Sequence, residues 1–347
     1  MMKTKKKQMV TYIKQFFAMM MLLTLVNKVP AQDLHFSQYF NAPLLVNPAN
    51  TGFTPDGDYR LGINYRTQWA SVSNPYKTFS AFGDAQIFGD RFENGWIGIG
   101  GALLRDVAGA GNLTSTRAFT SVAYHQAVGL GSLFSAGFNL GYVNKRIDFT
   151  KLTFDNQWTG KFFDVTVPSG EGFVNNQVNY FTLQAGLNYA YYPTENAYFN
   201  VGVSASHINR PRESFFDANV ADERIEPRYT AFVNGSFKVA EQWILNPNIY
   251  VSKMSTATEV VAGMNAQRDL SGDGNTQLIA GAYYRLNDAI IPMVGFQQNG
   301  YKLTFNYDAT MSALRPFNGT RGAYEISIIK QGLINNNGDL KCPAVRF

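Results

Sequence analysis

From residue 58 onward, apolar and polar residues alternate with a period of two over segments of roughly ten to fourteen residues, longer than the usual soluble strand. In DYRLGINYRTQW, Tyr59, Leu61, Ile63 and Tyr65 share one face, and Arg60, Asn64, Arg66 and Gln68 share the other. KTFSAFGDAQIF repeats the division, with Phe79, Ala81, Ala85 and Ile87 opposed to Ser80, Asp84 and Gln86. SLFSAGFNLGYVN sets Phe134, Phe138, Leu140 and Tyr142 against Ser135 and Asn139. VNYFTLQAGLNYAYY, AYFNVGVSAS, RYTAFVNGSFKV and GYKLTFNYDAT behave likewise, and the whole chain predicts about fourteen strands.

Alternation alone fits a soluble sandwich as well as a membrane barrel. Strand length separates them, because tilted strands of nine to eleven residues or more match the hydrocarbon thickness of a bilayer. Tyr59, Phe134 with Tyr142, Phe181 with Tyr191, Tyr229 with Phe237, and Trp243 stand where interfacial aromatic girdles belong. The connections also alternate in length, as they do in outer-membrane barrels. Short ones fall near 88–94, 127–131, 193–196, 239–242 and 298–299; long ones fall near 145–177, 209–226 and 311–320. The segment 268–275 is long and 286–288 short for this scheme. The expected fold is therefore an all-β transmembrane antiparallel barrel of about 14 strands, with both termini periplasmic.

Before these strands, Lys3, Lys5, Lys6, Lys7 and Lys14 lead into an apolar run from Phe16 to Val26, too short to span a bilayer as a helix. Val29 and Ala31 supply the small residues of a cleavage site, so 1–31 reads as a secretory leader cut at Ala31/Gln32. Gln32 and not a cysteine stands directly after the cut, which argues against a lipoprotein anchor. Six of the 30 basic residues lie in the leader, leaving 24 against 25 acidic ones. The mature chain thus lacks the basic footprint of nucleic-acid binding. Charged residues make up only 16% of the chain, well under the usual quarter. With Cys342 as the single cysteine, no internal disulfide forms.

Candidate chemistry is sparse. His35, His125 and His207 lie in no metal-ligand spacing, and no nucleophile elbow or phosphate loop is present. RDLSGDGN begins like a calcium loop with Asp269, Ser271, Asp273 and Gly274, but its twelfth position is Ala280, so a polar turn is expected. No enzyme activity, metal or cofactor is expected. The many glycines fall inside strands, as small residues suited to a curved wall. Arg60, Arg66, Asp84, Arg117 and Arg285 are candidate lumen residues that either select solutes or pair with one another to fill the barrel.

Four stretches together resemble the PorP/SprF family of type IX secretion outer-membrane proteins. They are QDLHFSQYFNAPLLVNPANTG, IDFTKLTFDNQWTGKFFD, GVSASHINRPRESFF, and GAYYRLNDAIIPMVGFQQNGYKLTFNYDATMSALRPFNGTRGAYEISI. A terminal KCPAVRF is similar to the family's Cys-Pro-Arg-Phe ending. The resemblance implies an outer-membrane barrel that assists export or surface attachment of large adhesin-like cargo bearing a type IX C-terminal signal, with other secretion components as partners. A diffusion channel or hydrophobic-solute transporter is the alternative.

Four regions are expected: the leader 1–31, a periplasmic strap or plug 32–57, the barrel 58–331 and a periplasmic tail 332–347. The strap precedes the first outward strand, so it is expected to start on the periplasmic side, as a short helix or compact strap that plugs the lumen or the mouth and is displaced by a partner, docks one, or merely packs there. There Phe36, Tyr39, Phe40, Asn47 and Pro48 are candidate partner contacts. The loop 145–177 carries Phe154, Trp158 and Phe162, heavy apolar content that either constricts the barrel or offers a surface to a passenger. His207, Arg210, Pro211 and Phe215 form the second candidate contact. Tyr307 and Asp308 are expected to anchor a strand end.

Overall fold

The computed structural model describes residues 36–54, 57–70, 73–88, 94–171, 175–216, 223–313, 315–333 and 345–346. The leader 1–31, the cleavage step, Phe173 and Cys342 lie outside the described residues. Fourteen strands make one closed antiparallel barrel, in which each strand pairs with its sequence neighbours and the last pairs with the first. They are β1 Tyr59–Gln68, β2 Tyr76–Ile87, β3 Gly95–Ala108, β4 Leu113–Gly129, β5 Ser132–Arg146, β6 Gln177–Thr194 and β7 Ala197–Ser206. The second half holds β8 Arg228–Ala240, β9 Trp243–Met254, β10 Ala257–Asp269, β11 Thr276–Arg285, β12 Ala289–Gln298, β13 Tyr301–Thr310 and β14 Arg321–Gly332.

Closure leaves no strand as a free edge of the sheet, which a lipid environment demands. The period-two pattern becomes an inverted barrel, oily outside and polar inside. Outward Leu61 and Leu103 are 55% and 59% exposed, whereas inward Asn64 and Glu325 are fully buried. Such outward residues are stable only against acyl chains. Exposed aromatics form two rings: Phe134, Tyr191, Trp243 and Tyr301 near one rim, and Tyr65, Tyr142, Phe181, Tyr229 and Tyr284 near the other.

The rims differ as expected. One, the turn end, carries short hairpins, among them Asn299-Gly300, where both residues take positive φ (49° and 76°) and suit the primed two-residue turn. The other, the loop end, carries 147–176, 207–227 and 311–320. The lumen is also two-sided. One wall is apolar, with Phe232, Tyr250, Val261, Ile279, Tyr283, Ile291 and Met293 in a buried cluster. The facing wall is polar, lined by Asn139, Ser121, His125 and Asn188.

Candidate functional site

Of the two places expected for the plug, lumen and mouth, the structure shows the lumen, and the expectation that it starts at the turn side is corrected. Residues 36–54 do not lie across the rim but run inside the lumen along its length, beside a cavity of about 240 Å³ lined by Phe40, Asn248, Met293 and Thr304. Thr54 sits at the turn end, where its hydroxyl donates to the Gly57 carbonyl (2.6 Å). Phe36 packs beside Leu104, in the loop-end half of β3. The segment thus begins toward the loop end and descends to β1. It carries no Lys, Arg, His, Asp or Glu, so a neutral chain runs through a lumen whose charges belong to the wall. Short-range physics explains its shape: Pro43 and Pro48 each open a single helical turn, and Asn47 ends one and caps the next by accepting the Ala49 N–H (2.9 Å).

Phe36, Tyr39, Asn47 and Pro48 are all buried and Phe40 half-buried inside this chain's own barrel. Their contacts in this structure are internal. Tyr39 stacks on Tyr250 with centroids 4.7 Å apart, and Phe40 lies against Tyr283 at 5.4 Å. Leu44, with no exposed surface, packs with Phe82 and Ala102. Each large apolar side chain so buried contributes on the order of 1.5–3 kcal/mol.

Near the loop end, Ser37 and Gln38 are held by a charged clamp. Glu325 accepts from the backbone N–H of Ser37 (2.9 Å) and of Gln38 (3.0 Å). The Ser37 hydroxyl donates to Asp308 (2.7 Å) and accepts from Arg285 (2.6 Å) and from Arg66. Asp308 in turn bridges Arg66 and Arg285, both at 3.0 Å, and Glu259 lies 3.1 Å from Arg285. Lower down, Arg60 grips Asp84 with two hydrogen bonds (2.8 and 3.0 Å) and reaches the Asn50 carbonyl (3.2 Å). Of the candidate lumen residues, Arg60, Arg66, Asp84 and Arg285 pair with wall charges and brace the segment; Arg117 lines the same lumen higher on β4.

Of the clamp's other members, Glu259 and Glu325 were not singled out from sequence, and Asp308 was named only as a strand-end residue. Asp308 is not a strand-end anchor: β13 continues to Thr310, and Asp308 points inward as a buried hub. Glu325 is buried by the same inward parity on β14. Two-residue periodicity carried this signal, but only the partners give it meaning.

The middle of the segment rests in a trough of small residues. Gly98 on β3 pairs with Ala123 on β4, Ala123 with Gly137 on β5, Gly137 with Gly186 on β6, and Gly186 with Ser204 on β7, a continuous row across five strands. A Cβ at Gly137 would lie 2.4 Å from the Pro48 carbonyl carbon, and one at Gly186 would lie 2.0 Å from Asn47 Oδ1. The glycines therefore do more than curve the wall; they let another backbone approach. The Asn47 amide enters the notch above Gly186 and Gly202 and donates to the Leu187 (2.9 Å) and Val203 (3.2 Å) carbonyls. Wall side chains then address the segment's main chain: Asn139 donates to the Leu44 carbonyl (3.2 Å), Ser204 to that of Val46 (2.6 Å), and Trp96 to that of Gly52 (3.0 Å). Asp84 accepts from the Gly52 N–H (2.8 Å). His125, buried between Ser135 Oγ and the Thr51 carbonyl, both 2.7 Å away, is another grip on this chain.

At the loop end the two long loops meet. Asn175 donates its N–H to the Phe215 carbonyl (3.2 Å), and Glu213 accepts from Lys145 (2.5 Å) and from Tyr180 (2.7 Å). His207 bonds Thr182 (2.7 Å), Arg210 pairs with Glu226, and the buried Pro211 accepts from the Ile225 N–H (3.0 Å). Phe154 and Phe215 are half-buried supports. Trp158 and Phe162 remain 50% and 60% exposed, and Trp158 packs against Phe163 at 5.0 Å. The loop thus presents Trp158, Phe162 and Phe163 to the outside.

Among the described residues, no cluster of three or more His, Cys, Asp or Glu is placed to hold a metal ion. In the turn after β10, the Asp269 carboxylate accepts from Ser271 (3.0 Å) and from the Gly274 N–H (3.1 Å), so it closes a polar turn.

Comparison with known proteins agrees with this architecture. The toluene transporter TodX of Pseudomonas putida superposes with a TM-score of 0.50 at 13% identity, over 83% of this chain and 92% of that one. The Ralstonia pickettii toluene transporter TbuX gives 0.46 at 12%, over 83% and 92%. At such identity the likeness is one of fold, that of an outer-membrane barrel. No curated protein matches the chain in sequence. The profile described as type IX secretion system membrane protein PorP/SprF matches residues 29–329, which take in the threaded segment and nearly all of the barrel. The chain belongs to the PorP/SprF family of type IX secretion system membrane proteins.

Proposed function

We infer that this barrel is a non-enzymatic accessory of type IX secretion that handles large, surface-destined cargo at its loop end and passes no solute through its lumen. The observation that carries this reading is the threaded lumen: residues 36–54 run along its length and are tied to both halves of the wall. A diffusion channel along the lumen would need that segment to move aside. On this reading the loop end faces the outside, and the apolar platform around Trp158, Phe162, Arg210 and Phe215 meets an adhesin-like passenger with a type IX C-terminal signal. Exposed aromatics above the lipid belt are the chemistry of such a contact. Other secretion components meet the turn end.

The test is photo-crosslinking from position 158 in living cells, followed by mass spectrometry of outer-membrane extracts. A large exported polypeptide joined at this position supports the reading. Crosslinks to lipid alone, with surface display unchanged after gene deletion, refute it.

A further inference from the structure

The wall reads residues 36–54 in an unusual way. Over residues 44–54 most of its hydrogen bonds go to main-chain atoms, and the one side chain there that donates to two wall carbonyls is the Asn47 amide, in the notch cut by Gly186 and Gly202. Pro48 then fixes φ and sets the turn that drops the chain onto Gly137. Recognition of a backbone plus one asparagine–proline step is how a receptor binds a linear peptide, not how a core packs. The trough also holds capacity that its present occupant leaves unused. Asn139 and Asn188 donate to the segment through their amide nitrogens, while their buried Oδ1 atoms accept nothing.

We propose that the trough is a peptide-binding site able to work in trans: a linear segment of a partner polypeptide, neutral and carrying an asparagine–proline step, takes the place of residues 36–54. The chain's own segment is the resident occupant and holds the site shut until it is displaced. This deepens the export reading by giving the lumen a ligand class, but it stands on the trough and not on the loop-end platform.

Two forms of the protein test it. One is the full chain with a protease site inserted after Asp56 and cut after folding; the other is a chain lacking residues 36–54. Each is titrated in detergent with a fluorescent synthetic peptide of residues 36–54, with circular dichroism and heat-dependent gel mobility reporting that the barrel is folded. Saturable binding is expected to both forms and not to the uncut chain. The Asn47→Ala peptide loses both carbonyl hydrogen bonds and its cap, so it is expected to bind at least tenfold more weakly. A scrambled peptide is expected not to bind. A folded barrel that ignores the peptide in both forms, or binds the scrambled one equally well, overturns the proposal. Crosslinking at position 158 is unaffected by that failure, so the two readings fall separately.

Discussion

Replacing Gly137 by alanine isolates the grip between segment and wall. The new Cβ would sit 2.4 Å from the Pro48 carbonyl carbon and 2.5 Å from the Ala49 nitrogen, both backbone atoms. Ordinary contact needs about 3.4 Å or more, so the segment must retreat by roughly an ångström, a strain of about 1–3 kcal/mol. In a barrel without the segment the same change removes a strand glycine and stabilises by about 0.5–1 kcal/mol. The two backgrounds therefore differ by roughly 1.5–4 kcal/mol, about ten- to several hundredfold in segment retention. Hydrogen exchange of residues 36–54, read by mass spectrometry, measures this in the full chain; unfolding of the chain lacking 36–54 supplies the control. Protection in the segment falls by that factor while the strands keep theirs. Unchanged protection, with the full chain stabilised as much as the deleted one, would show that the segment does not lie on Gly137.

Other expectations follow from the same contacts. Glu325→Gln keeps the shape but leaves Arg66 and the Ser37 and Gln38 amides with a weaker partner, at a cost of about 3–5 kcal/mol; chymotrypsin should then cleave at Tyr39 or Phe40 in the folded barrel, and persistent resistance would contradict the clamp. Trp158→Ser with Phe162→Ser touches only exposed side chains, so heat-modifiable mobility should be unchanged within about 0.5 kcal/mol while cargo crosslinking is lost. The exposed Asp148 and Asp164 carboxyls are held below the usual carboxylate range by the hydroxyls of Thr150 and Thr166. A depressed carboxylate stabilises above its unfolded value and loses that contribution as pH falls through its folded one. The turns of the long loop should thus be tight at neutral pH and loosen only in strong acid, below about pH 4. Nuclear magnetic resonance of the loop amides checks this, and loosening near pH 6 would refute it.

Much of the barrel was legible because lipid outside and polar contacts inside give most strands a two-residue code, which weakens where the lumen wall is apolar, as at Ile291 and Met293. Tyr59 to Arg66 shows the code most plainly, and counting such segments gave about fourteen strands. The pairing of Arg60 with Asp84 needed register, since the two become cross-strand neighbours only when β1 meets β2. Register likewise hides the trough: Gly98, Gly137 and Gly186 are scattered through β3, β5 and β6 and share one height only in the closed sheet. The threaded segment was the least readable. Its prolines and asparagines exclude a strand, but its direction through the lumen is set by contacts such as Ser37 with Asp308, 271 positions away in sequence.

The account turns on whether the lumen is shut. Ionic current through the purified full chain in a planar bilayer tests this directly, with the chain lacking residues 36–54 measured beside it. No steady conductance from the full chain, and discrete open steps from the deleted one, is the predicted result. A stable open pore in the full chain would contradict it.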